Sequence, residues 1–247
     1  MIELINFSKK YNSVTAVDDI SFTAKNSRIT GLLGANGAGK TTILKAVCAI
    51  HYASSGKVLV NNISCEDEPI KVKKIIGYVS ENPQFYENFT VLDFLKFIAD
   101  IHFCKTNIET FANISKKEKI ESAVEKCSLN DVTSKKISTL SKGYRQRLAF
   151  AAAILHDPKI LVLDEPVSGL DPVQIQEMRT LIKEMSKDKT ILLSTHLMQE
   201  VAALCNEIVI IAKGKISAQG TPSEILAQSG KNNLEDAFLF FNQNCNI

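Results

Sequence analysis

The sequence contains no tryptophan, and aromatic residues make up only 7% of its 247 positions. Long apolar runs are missing as well: the longest, Leu148 to Leu155, is far short of a membrane-spanning helix. There is no surplus of one charge. The 29 basic and 27 acidic residues nearly cancel, so the basic footprint of a nucleic-acid binder is absent. The opening stretch MIELINFSKKYN has no apolar core between a basic start and a small-residue cleavage site, and a cytosolic chain is expected. Six cysteines (48, 65, 104, 127, 205 and 245) include no C-x-x-C pair and have no histidine cluster nearby. They read as buried thiols in a reducing compartment, not as metal ligands. No internal repeat or low-complexity linker divides the chain. At 45% hydrophobic and 23% charged residues, the composition is globular and excludes disordered, collagen-like and coiled-coil classes.

What is present is an alternation of strands and helices. ISFTA (20–24), ITGLL (29–33), KVLVN (57–61) and IIGYVS (75–80) read as strands, with a helix over TTILKAVCAI (41–50). A helical stretch follows. Thr90 with Asp93, and Ser115 with Glu118, have the spacing of capping boxes, and Ile120, Ala123, Val124 and Cys127 share one helix face. KILVLD (159–164), TILLS (190–194) and EIVIIA (207–212) are apolar strands again. Asp171-Pro172 caps a helix that buries Ile175, Met178, Ile182 and Met185, and a further helix is expected around Leu197–Leu204. Such an order predicts a parallel sheet covered on both faces, interrupted by a helical insert over about 83–158. The tail over 229–247 turns apolar at Leu234, Ala237, Phe238 and Leu239, which predicts a short final helix.

The chemistry is concentrated in Gly34-Ala35-Asn36-Gly37-Ala38-Gly39-Lys40-Thr41, a complete G-x-x-x-x-G-K-[ST] between a predicted strand and helix. Glycines let backbone N–H groups turn inward around phosphate oxygens, and the helix N-terminus adds its dipole. Lys40 then bridges the β- and γ-phosphates, and Thr41 offers its hydroxyl to Mg²⁺. ILVLDE (160–165) supplies the complement, with Asp164 on Mg²⁺ and Glu165 polarising the attacking water. Alone, an acidic pair after a strand is most often a solvated loop. Beside a phosphate loop that reading reverses.

On these residues the sequence resembles the ATPase subunit of ATP-binding-cassette (ABC) transporters, from about Ile2 to Leu239. LSKGYRQR (140–147) looks like the signature motif, SGLDP (168–172) like the D-loop and STH (194–196) like the switch histidine. The resemblance implies a P-loop, RecA-like α/β core with an antiparallel β edge and an inserted α-helical subdomain, together forming one domain over 1–247. It implies ATP and Mg²⁺ as ligands, Tyr11 stacking on adenine with Val17 beside it, and Thr42 following the phosphate loop. Ser141 and Gly143 would meet the γ-phosphate of a partner's ATP, and His196 would act at the hydrolytic centre. The variant Ser-Lys-Gly-Tyr-Arg-Gln, the stretch AAAILHDPKILVLDEP (151–166) and THLMQEV (195–201) are most similar to single-domain exporters of the bacterial gliding-motility and multidrug branch.

Two positions depart from the family pattern. The signature glutamine is Tyr144 and its first glycine Lys142; the Q-loop glutamine is Glu81, with Gln84 three residues late as an ordinary loop residue. A carboxylate at Glu81 would sit near Mg²⁺ and the attacking water, and would also repel the γ-phosphate. The resemblance further implies a head-to-tail two-fold dimer enclosing two ATP molecules, either a homodimer or a heterodimer with a related cassette. Integral-membrane permease subunits would hold it at the inner face of the membrane. Phe85, Tyr86 and Phe89 either receive a helix of that partner or pack in the core. A non-transport ABC ATPase acting on a soluble partner is the alternative function.

Overall fold

The structure, a computed structural model, describes residues 1–103 and 116–244. Ser115 of the second expected capping pair, Cys104 and Cys245 lie outside the described residues. The chain opens on β1 (Ile2–Tyr11) and β2 (Val14–Ala24), then runs through β3 (Ile29–Leu33), α1 (Lys40–Val47), β4 (Ser55–Val60), β5 (Ile63–Ser64), α2 (Pro69–Ile75) and β6 (Ile76–Val79). Helices α3 (Val91–Phe103), α4 (Lys116–Lys126) and α5 (Lys142–Ile154) follow. The remainder is β7 (Ile160–Asp164), α6 (Pro172–Met185), β8 (Thr190–Thr195), α7 (Met198–Leu204), β9 (Glu207–Ala212), β10 (Lys215–Gly220), α8 (Pro222–Ser229) and α9 (Leu234–Asn244).

Two sheets result. One is antiparallel, in the order β2-β1-β4-β5; the other has the order β10-β9-β3-β8-β7-β6, parallel throughout except for β10. Every residue of β3, β7 and β8 is buried, as expected of parallel strands covered on both faces. The two-residue period of a strand then divides the core. Leu161, Leu163, Ile191 and Leu193 join one cluster with Phe150, Met178, Ile182 and Val201 of the helices. Ile160, Val162 and Leu192 point the other way, into a cluster with Phe7, Ile43 and Leu44 between α1 and the antiparallel sheet.

Between β6 and β7 the described residues form helices and no strand of either sheet, only an isolated bridge from Thr90 to Lys136. Helix α3 starts as its cap pair predicts, with Thr90 Oγ1 accepting the Asp93 N–H at 3.1 Å. The return bond differs: the short Asp93 carboxylate accepts the Thr90 hydroxyl at 2.7 Å. Asp171 caps α6 by accepting the Gln174 N–H at 2.9 Å, with Pro172 opening the helix. In that helix Met178, Ile182 and Met185 are buried, whereas Ile175 is only half-buried. The tail does form a helix, α9, on which Ala237 and Phe238 are buried while Leu239 is 53% exposed.

The candidate nucleotide site

β3 ends at Leu33, and the chain turns through Gly34–Gly39 into α1. Gly39 is the N-cap residue at φ 109°, and a Cβ there would lie 2.7 Å from the Ala16 carbonyl oxygen and 3.1 Å from Val17 Cγ2. Only glycine satisfies both the left-handed backbone and that approach. Val17 is fully buried, so its side chain packs beneath the loop. The β9–β10 hairpin also braces the loop, where the Gly214 N–H donates to the Ala38 carbonyl at 3.1 Å. No side chain caps α1 and no acidic residue occupies its first turn, which leaves its N-terminal N–H groups to an anion. Asn36 and Thr41 are exposed, Thr42 half-buried.

Lys40 is 6% exposed and points back under the loop. Its ammonium donates to the Gly34 carbonyl at 2.7 Å and the Ala35 carbonyl at 3.3 Å, and lies 3.4 Å from Glu165 Oε1. Three parallel strands bring the acidic end of the site to it. Asp164 pairs with Ser194, and Leu33 with Thr195, so the ends of β3, β7 and β8 lie level. Asp164 Oδ1 accepts the Ser194 hydroxyl at 2.6 Å and the Thr41 hydroxyl at 3.3 Å. The Glu165 N–H donates to Ser194 Oγ at 3.1 Å and to the Ser194 carbonyl at 3.2 Å. Glu165 sits at φ 48°, a left-handed conformation unfavourable for glutamate. A cluster that holds such a residue in place is the usual setting of a functional site.

The Glu165 carboxylate is hydrogen-bonded at one oxygen, and the other meets the Lys40 ammonium only as an ion pair at 3.4 Å. Oε2 lies 2.8 Å from His196 Nδ1, whereas Oε1 is buried without a hydrogen-bond partner among the described residues. An unsatisfied carboxylate oxygen beside a buried ammonium is placed to accept a proton from water. Ser194, which binds Asp164 and Glu165 together, was not among the residues expected to act. It stands first in the STH triplet, but its partners are thirty positions away in sequence and only the strand pairing reveals them.

Other expected residues stand around this centre. Glu81 is exposed two positions beyond β6, whose Val79 pairs with Leu163, and so lies at the same sheet edge as Asp164. It has no ion pair or hydrogen bond among the described residues. Gln84 donates only to the Asn82 carbonyl, at 3.3 Å. Tyr11, at the end of β1, is 39% exposed, with the Lys9 ammonium 5.2 Å from its ring and the His51 ring meeting it edge-on at 5.8 Å. Ser141 and Gly143 do not join the constellation. Ser141 caps α5, accepting the Tyr144 N–H at 3.5 Å, and Gly143 is pressed against Gln174 of α6. No hydrogen bond or ion pair links either residue to the phosphate loop among the described residues.

A glycine-walled loop at a helix N-terminus, a buried lysine under it, and a strand-end carboxylate bonded to the loop threonine define a P-loop nucleotide hydrolase. The family model described as "ABC transporter" matches residues 17–168. The chain is 38% identical over 221 residues to YhcH of Bacillus subtilis (strain 168), described as an uncharacterized ABC transporter ATP-binding protein, covering 87% of this chain and 68% of that one. It is 32% identical over 233 residues to the bacitracin transport ATP-binding protein BcrA of Enterococcus faecalis, covering 94% and 72%. A solved ATP-binding subunit of an ABC transporter superposes with a TM-score of 0.85 at 26% identity, covering 98% and 99%. The chain therefore belongs to the ABC transporter family, and it is an ATP-binding, ATP-hydrolysing subunit.

Proposed function

We propose that this chain powers export through separate membrane subunits, by ATP-driven closure of a two-fold dimer at the inner face of the membrane. One observation carries the reading: Lys40, Thr41, Asp164, Glu165 and His196 converge, whereas Ser141 and Gly143 stand apart on α5. A second copy presenting its α5 terminus would complete each site, and the γ-phosphate would bridge the two chains. ATP, unlike ADP, then favours the closed state, because only it contacts both halves.

The Thr41 hydroxyl and the Asp164 carboxylate, 3.3 Å apart, are hard oxygen donors of the kind Mg²⁺ takes, and Glu81 adds a third at the sheet edge. Bound there, Mg²⁺ would neutralise charge on the β- and γ-phosphates. Within the chain, Lys40 exchanges its carbonyl partners for phosphate oxygens. Glu165 Oε1 accepts a proton from water as the water oxygen attacks the γ-phosphorus and ADP leaves. His196 orients the other carboxylate oxygen, its Nδ1–H donating to Glu165 Oε2 at 2.8 Å. The exposed ring of Tyr11 is the stacking surface for adenine.

Of the aromatic residues after Glu81, one packs inward and two face outward. Phe85 packs edge-on against Phe94 at 5.2 Å, under the Arg145 guanidinium. Tyr86 and Phe89 face outward, 57% and 36% exposed, and form a ledge with Phe97. That ledge is the surface offered to a helix of the membrane subunit. No helix among the described residues is long and apolar enough to cross a membrane, so the translocation path would belong to that partner. Similarity to a bacitracin transport protein supports transport as the coupled process. Affinity purification from detergent-extracted membranes should recover the chain with a multi-span protein. Recovery with a soluble partner alone would contradict the reading.

A further inference from the structure

We propose that the ion pair between Arg179 and Glu200 positions His196, and through it the Glu165 carboxylate, for hydrolysis. This rests on the hydrolytic roles of Glu165 and His196 proposed above. Glu200 lies in the first turn of α7, four positions after His196, and is 2% exposed. A carboxylate so deep is costly unless its charge and both oxygens are met. Arg179 of α6 meets them: Nε donates to Oε1 and Oε2, each at 3.2 Å, and Nη2 donates to Oε1 at 2.6 Å. No other cation pairs with Glu200 among the described residues. Pairs such as Lys187–Glu184 join near neighbours in sequence at the surface, whereas this one ties two helices together around a buried charge.

His196 stands between the end of β8 at Thr195 and the start of α7 at Met198. No side chain caps α7. The Leu197 N–H donates to Thr195 Oγ1 at 3.0 Å, and the Glu200 N–H to the Leu197 carbonyl at 3.1 Å, both within the same short segment. The Glu200 carboxylate is the polar group that anchors this turn to another element. Its partner helix leads back to the hydrolytic carboxylate by a second route. Asp171 caps α6, and just upstream the Ser168 N–H donates to the Glu165 carbonyl at 3.1 Å. A closed ring results. From Glu165 the chain runs through 166–171 and α6 to Arg179, crosses to Glu200, and returns to His196, whose Nδ1 lies 2.8 Å from Glu165 Oε2. Met178 and Val201, next in sequence to the charged pair, share one apolar cluster that holds the helices together but has no directional preference. The guanidinium fork adds direction and fixes one register. Such precision matters for a reacting group, because a displacement of about 1 Å can cost about 10²-fold in rate.

Arg179→Met alone strands a buried carboxylate, so the test pairs it with Glu200→Leu. The double variant removes both charges and leaves an apolar contact, and the thermal midpoint of the nucleotide-free protein should stay close to that of wild type. Phosphate release by the purified chain with Mg-ATP gives kcat and KM. In Arg179→Met/Glu200→Leu, kcat should fall about tenfold while KM stays within about twofold, the mark of an interaction used in the chemical step. Arg179→Lys keeps the charge without the fork, and should lower kcat about threefold. The same changes made in a His196→Ala background separate positioning from packing. There the double change should alter the residual kcat by less than about twofold, because the group it positions is gone. If the double variant loses its thermal midpoint, Arg179→Lys serves in the same cycle, with its threefold loss expected only when His196 is present. Equal losses in both backgrounds, or no loss with His196 present, overturn the inference and leave the hydrolytic site standing. A His196→Ala protein that turns over at the wild-type rate overturns both.

Discussion

At the ends of β3, β7 and β8, the residues Lys40, Asp164 and Glu165 are buried; Lys40 lies 3.4 Å from Glu165, and the two acidic residues are tied to Ser194, Thr41 and His196 by bonds between 2.6 and 3.3 Å. At the start of α5, Ser141 is exposed and its cap bond to the Tyr144 N–H is 3.5 Å long. The first region is completed by its own chain, because parallel pairing delivers the carboxylates, the hydroxyl and the histidine to one edge. The second is presented outward, with a weak cap. On the proposed reading, half of the chemistry is a property of the fold and the other half depends on what meets the α5 terminus.

The largest effect in this contrast should come from Lys40→Ala. Removing the cation from the phosphates should cut turnover by about 10³-fold or more, with the circular dichroism spectrum unchanged. Unchanged turnover in a folded protein would break the assignment of the first region.

Comparing two serines sharpens the contrast. Ser194→Ala removes the 2.6 Å bond to Asp164 and one partner of the Glu165 N–H, both in a buried setting. It should cost about 1–3 kcal/mol in a denaturant titration, the range for stranding buried polar groups. Ser141→Ala should cost under about 1 kcal/mol, because the cap it removes is long and exposed. It should nevertheless weaken ATP-driven association more than Ser194→Ala does, measured in the Glu165→Gln background. The reverse ranking in both assays would mean that the two regions have been assigned the wrong way round.

A smaller effect belongs to neither half. His156 stacks on His102 at 4.0 Å, and its Nε2 lies 3.1 Å from the Ile76 carbonyl. Burial, and then the neighbouring His102, push its pKa down from 6.5 to about 4. The unfolded chain therefore binds a proton at this residue below about pH 6.5, and the folded one only below about 4. Stability should fall as pH drops through that window and be complete above it. Burial lowers His102 in the same direction. His156→Gln should flatten the stability profile between pH 6.5 and 4; an unaltered slope would place the acid sensitivity elsewhere. The smallest expected signal is thiol labelling: burial raises Cys65, Cys127 and Cys205 to about 12 and raises Cys48 as well. Peptide mapping after a neutral-pH alkylation pulse should find these four unmodified in the native protein.

The sequence was most legible where burial is uniform. β3, β7, β8 and β9 are apolar runs because both faces are covered, and their expected spans differ from the observed ones by a residue or less. β1 was not anticipated, because left-handed Asn6 shifts its register against β2 and disrupts the alternation of IELINFSKKY. α2 is short and buries only Val72, so it carries almost no periodic signal. α8 is different: its capping box, Thr221 with Glu224, stands plainly in TPSE and was overlooked. At the site, Lys40, Thr41, Asp164 and Glu165 follow from local motifs, since each lies at a strand-to-helix or strand-to-loop junction. Ser194 and the strained backbone of Glu165 do not, because both arise from the pairing of strands far apart in sequence.

The central claim is that one chain holds a complete hydrolytic centre but only half of an ATP-binding site. Light scattering of Glu165→Gln protein with and without Mg-ATP tests it most directly. Replacing the carboxylate by an amide should slow hydrolysis by about 10²–10⁴-fold, the range for losing a general base, and should leave ATP in place. The mass should double with Mg-ATP and return to that of the monomer with Mg-ADP, while the wild-type protein remains mostly monomeric in both. A Glu165→Gln protein that binds Mg-ATP tightly yet keeps the monomer mass at high concentration would contradict the claim.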